Sequence, residues 1–271
     1  CDGTQQQFQI TVNPTPIVND PPDLTFCNSI QAGPIPFSGT GNSYTWTNSL
    51  TSIGLAASGA GDIPLFTTFN NSTSLQSIAT ITVTSFFEQS GVTCQGSTEV
   101  FTITVNPTTV LTDPQDQSVC NGLQTSPIVF NGTGTQYQWS NTLPGIGLSP
   151  NGIGNIQAFT AVNTGASAVT GVITVLPFYV SADGTSCEGV GEDFSITVNP
   201  SPTANPVQDF SVCNNTTINV PLTANMNSNF SWFAESNPNV TGETTLPQPS
   251  SVVSNSLVNI SANIQEIVYH V

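Results

Sequence analysis

Cys94-Gln-Gly-Ser-Thr-Glu-Val-Phe-Thr-Ile-Thr-Val-Asn-Pro107 is the stretch that decides the fold. Phe101, Ile103 and Val105 alternate with Thr102, Thr104 and Asn106. A period of two marks a β-strand with one buried face. The Asn-Pro that follows ends the strand, because proline has no N–H for a ladder. The pattern recurs as Cys187-Glu-Gly-Val-Gly-Glu-Asp-Phe-Ser-Ile-Thr-Val-Asn-Pro200 and stands earlier as Cys1-Asp-Gly-Thr-Gln-Gln-Gln-Phe-Gln-Ile-Thr-Val-Asn-Pro14. A strand therefore closes one unit and a stiff dipeptide opens the next.

The interval of 93 residues that separates these copies also separates Trp46, Trp139 and Trp232, and likewise Cys27, Cys120 and Cys213. Repetition at a fixed period is the signature of a tandem array. It predicts an uninterrupted register and divides the chain into residues 1–14, the closing strand of a preceding repeat; a repeat at 15–107; a second at 108–200; and an incomplete, divergent repeat at 201–271. The expectation is an excerpt from a longer array.

Composition narrows the function. Lys plus Arg total zero and the formal charge is −16. A chain without cations repels phosphate backbones and anionic membrane surfaces, so nucleic-acid partners and direct membrane insertion are not expected. Solubility is assigned to Asn, Thr, Ser and Gln. Six cysteines at regular intervals point to an oxidising, extracellular setting.

Within each unit, short apolar runs alternate with turns. Asp23–Cys27, Asp116–Cys120 and Asp209–Cys213 read as the first short strand. Tyr44 and Trp46, Tyr137 and Trp139, and Phe230 and Trp232 lie two apart, hence on one strand face. They read as core aromatics; the rival reading is an exposed platform for sugars or peptides. Ile53-Gly-Leu55 with Gly59-Ala-Gly61, and Ile146-Gly-Leu148 with Gly152-Ile-Gly154, read as tight turns, since no lysine accompanies them as a phosphate loop would require. About seven strands per unit, with no helix of useful length, predict an all-β fold of tandem immunoglobulin-like β-sandwiches.

No catalytic constellation can be assembled, and no enzyme is expected. The one histidine, His270, has no nucleophile placed with it, and the two full units contain none. Cysteines without neighbouring histidine argue against zinc. Paired carboxylates would have to come from Asp20/Asp23 with Glu99, or Asp113/Asp116 with Glu192, which would repeat a whole active site in tandem. No cofactor is expected, with one reservation: Asp20, Asp23, Asp113, Asp116 and Asp209 share registers beside the connections and are weak candidates for calcium.

Two disulfide schemes fit the cysteines. One pairs Cys27 with Cys94 and Cys120 with Cys187 inside units, leaving Cys1 and Cys213 with partners outside residues 1–271. The other bridges each joint, Cys1 to Cys27, Cys94 to Cys120 and Cys187 to Cys213. Closing the longer loop removes more unfolded-chain entropy, and the first and last strands of such a sandwich are neighbours, so the first scheme is expected.

The joint Asn-Pro, Val-Cys120-Asn-Gly, Tyr137-x-Trp139-Ser-Asn, the Ile-Gly-Leu turn with its Gly-x-Gly, and Cys-x-Gly…Phe-x-Ile-Thr-Val-Asn-Pro together resemble the PKD-like repeats of Bacteroidota surface proteins, among them gliding-motility adhesins of flavobacteria. The resemblance covers both full units and only part of the third, where the Ile-Gly-Leu and Gly-x-Gly elements are missing. It implies export by the type IX system, contact with surface motility and secretion machinery, an outer-membrane-associated cell-surface location, and attachment to external surfaces or glycans through the parent protein. It brings no catalytic or ligand residues. Two readings follow: a stalk whose partners are its own neighbouring repeats, or a binding module using the loops at 49–63, 142–156 and 235–249.

Overall fold

The computed structural model describes residue 1 and residues 3–271; Asp2, in the first closing-strand pattern, lies outside the described residues. The fold is all-β, organised as tandem β-sandwiches. The first unit contains β1 (Leu24–Cys27), β2 (Gln31–Ala32), β3 (Ser43–Asn48), β4 (Ser58–Ala60), β5 (Phe66–Thr67), β6 (Ser77–Gln89) and β7 (Val92–Asn106). The second contains β8 (Gln117–Cys120), β9 (Gln136–Asn141), β10 (Asn151–Ile153), β11 (Val169–Val180), β12 (Ser186–Glu188) and β13 (Glu192–Asn199). The third contains β14 (Thr216–Pro221), β15 (Phe233–Ala234), β16 (Val240–Thr241), β17 (Val252–Asn259) and β18 (Tyr269–His270).

In the first unit the main sheet runs β1-β7-β6-β3-β4, and the second unit repeats it as β8-β13-β11-β9-β10. The closing strand sits inside each sheet. It pairs antiparallel with β6 or β11 and parallel with β1 or β8. Its alternation is therefore read against two neighbours, and Phe101, Ile103, Val105, Phe194, Ile196 and Val198 are all buried. The opposing layer is made by β2 and β5 with the bridges Ile35–Ile63 and Ile128–Ile156. The two layers enclose a core between their inner faces, the usual sandwich arrangement.

The tryptophans are core residues, 3%, 9% and 3% exposed at 46, 139 and 232. Tyr44, Tyr137 and Phe230 are partly buried against the same cores. The Gly-x-Gly stretches are more than turns. Gly59 in β4 pairs with Trp46, and Gly152 in β10 pairs with Trp139. A Cβ at Gly59 would lie 2.3 Å from Trp46 Cζ2, and one at Gly152 2.2 Å from Trp139 Cζ2. Each indole lies where a side chain would otherwise stand. The Ile-Gly-Leu turns are 3₁₀ turns closed by left-handed Gly54 and Gly147, and they drive Ile53, Leu55, Ile146 and Leu148 into the cores.

Assigning asparagine to solubility alone is corrected by the packing. Asn48, Asn70, Asn106, Asn141, Asn163 and Asn255 are buried. Asn70 Nδ2 donates to the Leu75 and Val105 carbonyls, its Oδ1 accepts from Ser72 N–H, and its own N–H donates to Asn28 Oδ1 at 2.8 Å. Asn163 repeats this with Ser167, Val198, Gly165 and Asn121. The clasp ties the corner before the penultimate strand to both the first and the closing strands. Asn70→Leu should cost about 1–3 kcal/mol, since it strands the buried Val105 carbonyl and removes the partly buried bonds to the Leu75 carbonyl and the Ser72 N–H; urea unfolding of residues 15–200 measures it.

The period of 93 is not an uninterrupted register. Trp46 pairs with Val83, but Trp139 pairs with Val175, only 92 residues after Val83. The hairpin tip restores the count. In the first unit Gln89 pairs with Val92 across Ser90-Gly91, both at positive φ, as a two-residue hairpin turn requires. In the second, Val180 pairs with Ser186 around a longer tip containing left-handed Gly184.

The third unit departs further. Asp209–Cys213, expected as a short strand, has no strand structure, and Phe210 and Val212 are exposed. Its counterparts β1 and β8 exist by pairing with a closing strand, and residues 201–271 supply none. The apolar residues Val258, Ile260, Ile264 and Ile267 contribute only Val258 to a strand. The core cluster here is Ile218, Leu222, Trp232 and Val253.

Candidate functional site: the joint between the first two units

The expected disulfides are overturned. The structure joins Cys27 to Cys187, with Cα atoms 5.4 Å apart, and leaves Cys1, Cys94, Cys120 and Cys213 as thiols. The reason is strand direction. The first and last strands are neighbours, as expected, but they run parallel, with Cys27 opposite Asn106. Cys94 lies near the start of β7 and Asn106 at its end, so Cys27 and Cys94 stand about 40 Å apart along the strand. Cys120 faces Asn199 in the same way and is equally remote from Cys187. The bridging scheme fails too, because it joins the far end of one unit to the far end of the next.

Cys187 instead sits where the β11–β12 hairpin of the second unit meets the end of the first. Asn106, fully buried, donates from Nδ2 to Ser181 Oγ at 3.3 Å and points at Cys187 Sγ at 3.4 Å, while its Oδ1 accepts from Gln76. Asn28 donates to Thr108 Oγ1 across the connection. Asp183 accepts from Ser181 Oγ and Thr185 N–H, and from the Thr25 side chain in β1. These bonds, the Ser181 one first, hold the carboxyl far below the usual carboxylate range.

The connection itself is seated by the Cys-x-Gly motif. Val190 N–H donates to the Thr109 carbonyl, and a Cβ at Gly189 would lie 2.2 Å from that oxygen. In the first unit the Pro16 carbonyl takes the same place over Gly96, accepting from Ser97 N–H. Glycine is needed because the incoming backbone lies directly on the strand. These residues escaped the sequence reading, although the repeated Cys-x-Gly spacing carried the signal.

The calcium candidates are dispersed. Asp23 accepts from Thr102 N–H at 2.7 Å and Thr102 Oγ1 at 2.8 Å, and Asp116 from Ser195 N–H at 2.6 Å, so both pin β1 or β8 to the closing strand of their own unit. Asp20, Asp113 and Asp209 are exposed. Among the described residues no group of three or more His, Cys, Asp or Glu is placed to hold a metal ion. His270 stacks on Phe233 and pairs with Glu235 at 2.7 Å. The loops at 49–63 and 142–156 each anchor three apolar side chains in the core, Ile53, Leu55 and Ile63 or Ile146, Leu148 and Ile156, and leave most of their other residues exposed. The chain is a β-sandwich array.

Acid should loosen the joint. A carboxyl whose folded pKa is lowered stabilises above its unfolded value, 3.8, and that stabilisation disappears as pH falls from there through the folded pKa. Asp183→Asn should therefore loosen the hairpin tip at pH 7 and flatten its response between pH 4 and pH 2. Asp23 and Asp116 titrate the same way within their units. Amide hydrogen exchange at residues 181–185, against pH, checks this.

The profile of a PKD-like domain matches residues 210–271. No curated protein matches the chain in sequence. Among solved structures, the chain is similar to human CDH23 EC21-23, at 10% identity over 93% of this chain and 99% of that one, with a TM-score of 0.38. It is similar to extracellular cadherin domains 1–4 of protocadherin gamma B7, at 9% identity over 90% and 68%, with a TM-score of 0.34. Immunoglobulin domains 1–4 of Sidekick-1 follow at 11% identity over 91% and 76%, with a TM-score of 0.30.

Proposed function

We propose that this chain is a stretch of stalk from a large cell-surface adhesin of gliding Bacteroidota, exported by the type IX system and held at the outer membrane. The observation that carries the stalk reading is the joint. A connection of few residues, a buried Asn106-Pro107, a hairpin laid on the preceding unit and one disulfide fix successive sandwiches to each other. Such a joint transmits tension and resists bending, which a spacer needs and an isolated binding domain does not. The resemblance of the closing-strand, Val-Cys-Asn-Gly and Tyr-x-Trp motifs to flavobacterial repeats supports the cellular setting. No helix among the described residues is long and apolar enough to cross a membrane. Small-angle scattering of residues 15–200 tests the reading: an elongated particle is expected, and two units folded back on one another would overturn it.

The alternative is a glycan- or protein-binding module. The divergent loop at 235–249 in the third unit is its best support. Saturable binding of a glycan array by residues 201–271, lost on substitution in that loop, would favour it over the stalk.

A further inference from the structure

The second unit fills a place that the first leaves open. Gln117, at the start of β8, lays its side-chain amide on the Ser126 backbone: Nε2 donates to the Ser126 carbonyl and Oε1 accepts the Ser126 N–H, both at 3.1 Å. One period earlier stand Leu24 and Gly33. A leucine makes neither bond, and among the described residues the Gly33 carbonyl has no hydrogen-bond donor. A groove of about 460 Å³ remains there, within the range of small-ligand sites, about 300–1,000 Å³. Its floor is Leu24, Phe26, Ile35 and Phe37. Asn19 and Ser38 tie its two walls together, Asn19 N–H donating to the Ser38 carbonyl and Asn19 Nδ2 to Ser38 Oγ.

The walls restrict what can enter. Pro34 and Pro36 have no N–H, and the N–H groups of Ile35 and Phe37 are already given to the Ile63 carbonyl and Asp62 Oδ1. Residues 34–37 therefore offer no donor to which an extended strand could add. The groove presents apolar surface and acceptors. One acceptor is the Gly33 carbonyl. The other is the Asp20 carboxylate, which also lines the groove. Asp23 is bonded to Thr102, whereas Asp20 has no side-chain hydrogen bond among the described residues. The chain has no Lys or Arg and a formal charge of −16, so neither its own residues nor a second copy can supply a cation of that kind.

We propose that this groove takes an arginine side chain from a different polypeptide. The aliphatic stem lies along Leu24, Phe26 and the proline rings, as long cationic side chains lie on apolar surface. The guanidinium pairs with Asp20 and donates to the Gly33 carbonyl. A planar fork of five donors serves both acceptors at once, which the compact ammonium of lysine does less well. The second unit keeps the carboxylate, as Asp113, but Gln117 occupies the place of the guest. The two units therefore differ in binding although they share a fold. The site rests neither on the stalk reading nor on the loop at 235–249.

The test is a titration of the whole isotope-labelled chain with the blocked peptide acetyl-Leu-Arg-Leu-amide, followed by amide NMR shifts. Saturable shifts are expected at residues 19–38 and not at their equivalents 112–131, weakening as salt is added. The citrulline peptide, which keeps the shape of arginine without its charge, should bind roughly tenfold more weakly, the worth of one charge-assisted hydrogen bond. Asp20→Asn should weaken the arginine peptide by a similar factor, and because Asp20 is exposed the fold should be undisturbed. Leu24→Gln, which places in the first groove the side chain that fills the second, should abolish binding. Equal binding of the arginine and citrulline peptides, saturable shifts that Asp20→Asn or Leu24→Gln leaves unchanged, or no saturable shift at millimolar peptide would each overturn the assignment.

Discussion

Trp46→Ala should lower the stability of the first unit by about 3–5 kcal/mol, the cost of emptying a large buried aromatic site. The indole spans the sandwich from β3, pairs with Val83 of β6, and fills the space above Gly59. Its Nε1 has no hydrogen-bond partner. Trp46→Phe should therefore cost much less than Trp46→Ala, because it keeps most of the ring and removes an unpaired donor. Gly59→Ala should cost about 1–3 kcal/mol by overpacking in an otherwise intact core. In Trp46→Ala the same methyl enters vacated space, so the double variant should be more stable than the sum of the two single losses predicts. Urea unfolding of residues 15–200, followed by tryptophan fluorescence from Trp139 and by circular dichroism, separates the units. Additive losses would mean that Gly59 is set by backbone geometry and not by the ring.

That pairing shows where sequence reading reached its limit. The closing strand was legible because Phe101, Ile103 and Val105 alternate, and an alternating strand reports its own burial. Trp46 was legible for the same reason. The role of Gly59 was not, because a glycine that accommodates a neighbour's ring has the same letters around it as a glycine that turns the chain. Buried asparagines were hidden similarly: Asn70 lies in the polar run Asn70-Asn-Ser-Thr-Ser74, and only its carbonyl partners distinguish it from its neighbour. The register slip between Trp and Val pairs was masked because a one-residue loss before β11 is cancelled at the hairpin tip. The disulfide failed for a topological reason. Adjacency of the first and last strands follows from the fold class, but whether Cys27 meets the start or the end of the closing strand depends on parallel or antiparallel pairing. Composition does not encode that choice. In a repeat array every cysteine also has equivalents one period away, so the true partner of Cys27 had the same local sequence as the false one.

Reducing the Cys27–Cys187 bond should change how the first two units respond to heat and to force more than any other single chemical step at the joint. The bond closes a loop of sequence separation 160, for which the chain-entropy relation gives about 5 kcal/mol, at the upper end of what disulfides contribute. The loop contains β2 to β7 and β8 to β12, so it constrains the unfolded chains of two cores at once. With the bond intact, unfolding one unit leaves the other attached through a short cross-link. Calorimetry of residues 15–200 should then show a higher and more concerted transition than after reduction, when the two cores melt separately. Under tension applied at the ends, force passes through β1 to Cys27, across the sulfurs to Cys187, and out along β13, bypassing everything between. Reduction returns that length to the path, so single-molecule stretching should gain about 550 Å of contour per joint, at roughly 3.3–3.6 Å per residue. Cys27→Ser should reproduce the reduced trace without reductant, and Cys94→Ser should leave the oxidised trace unchanged. A gain of about 230 Å, the reach of the residues from Cys27 to Cys94 at roughly 3.3–3.6 Å each, would mean that Cys27 is paired within its own sandwich, and the joint would then be held without a covalent link, by the hydrogen bonds of Asn106, Ser181, Asp183, Asn28 and Val190.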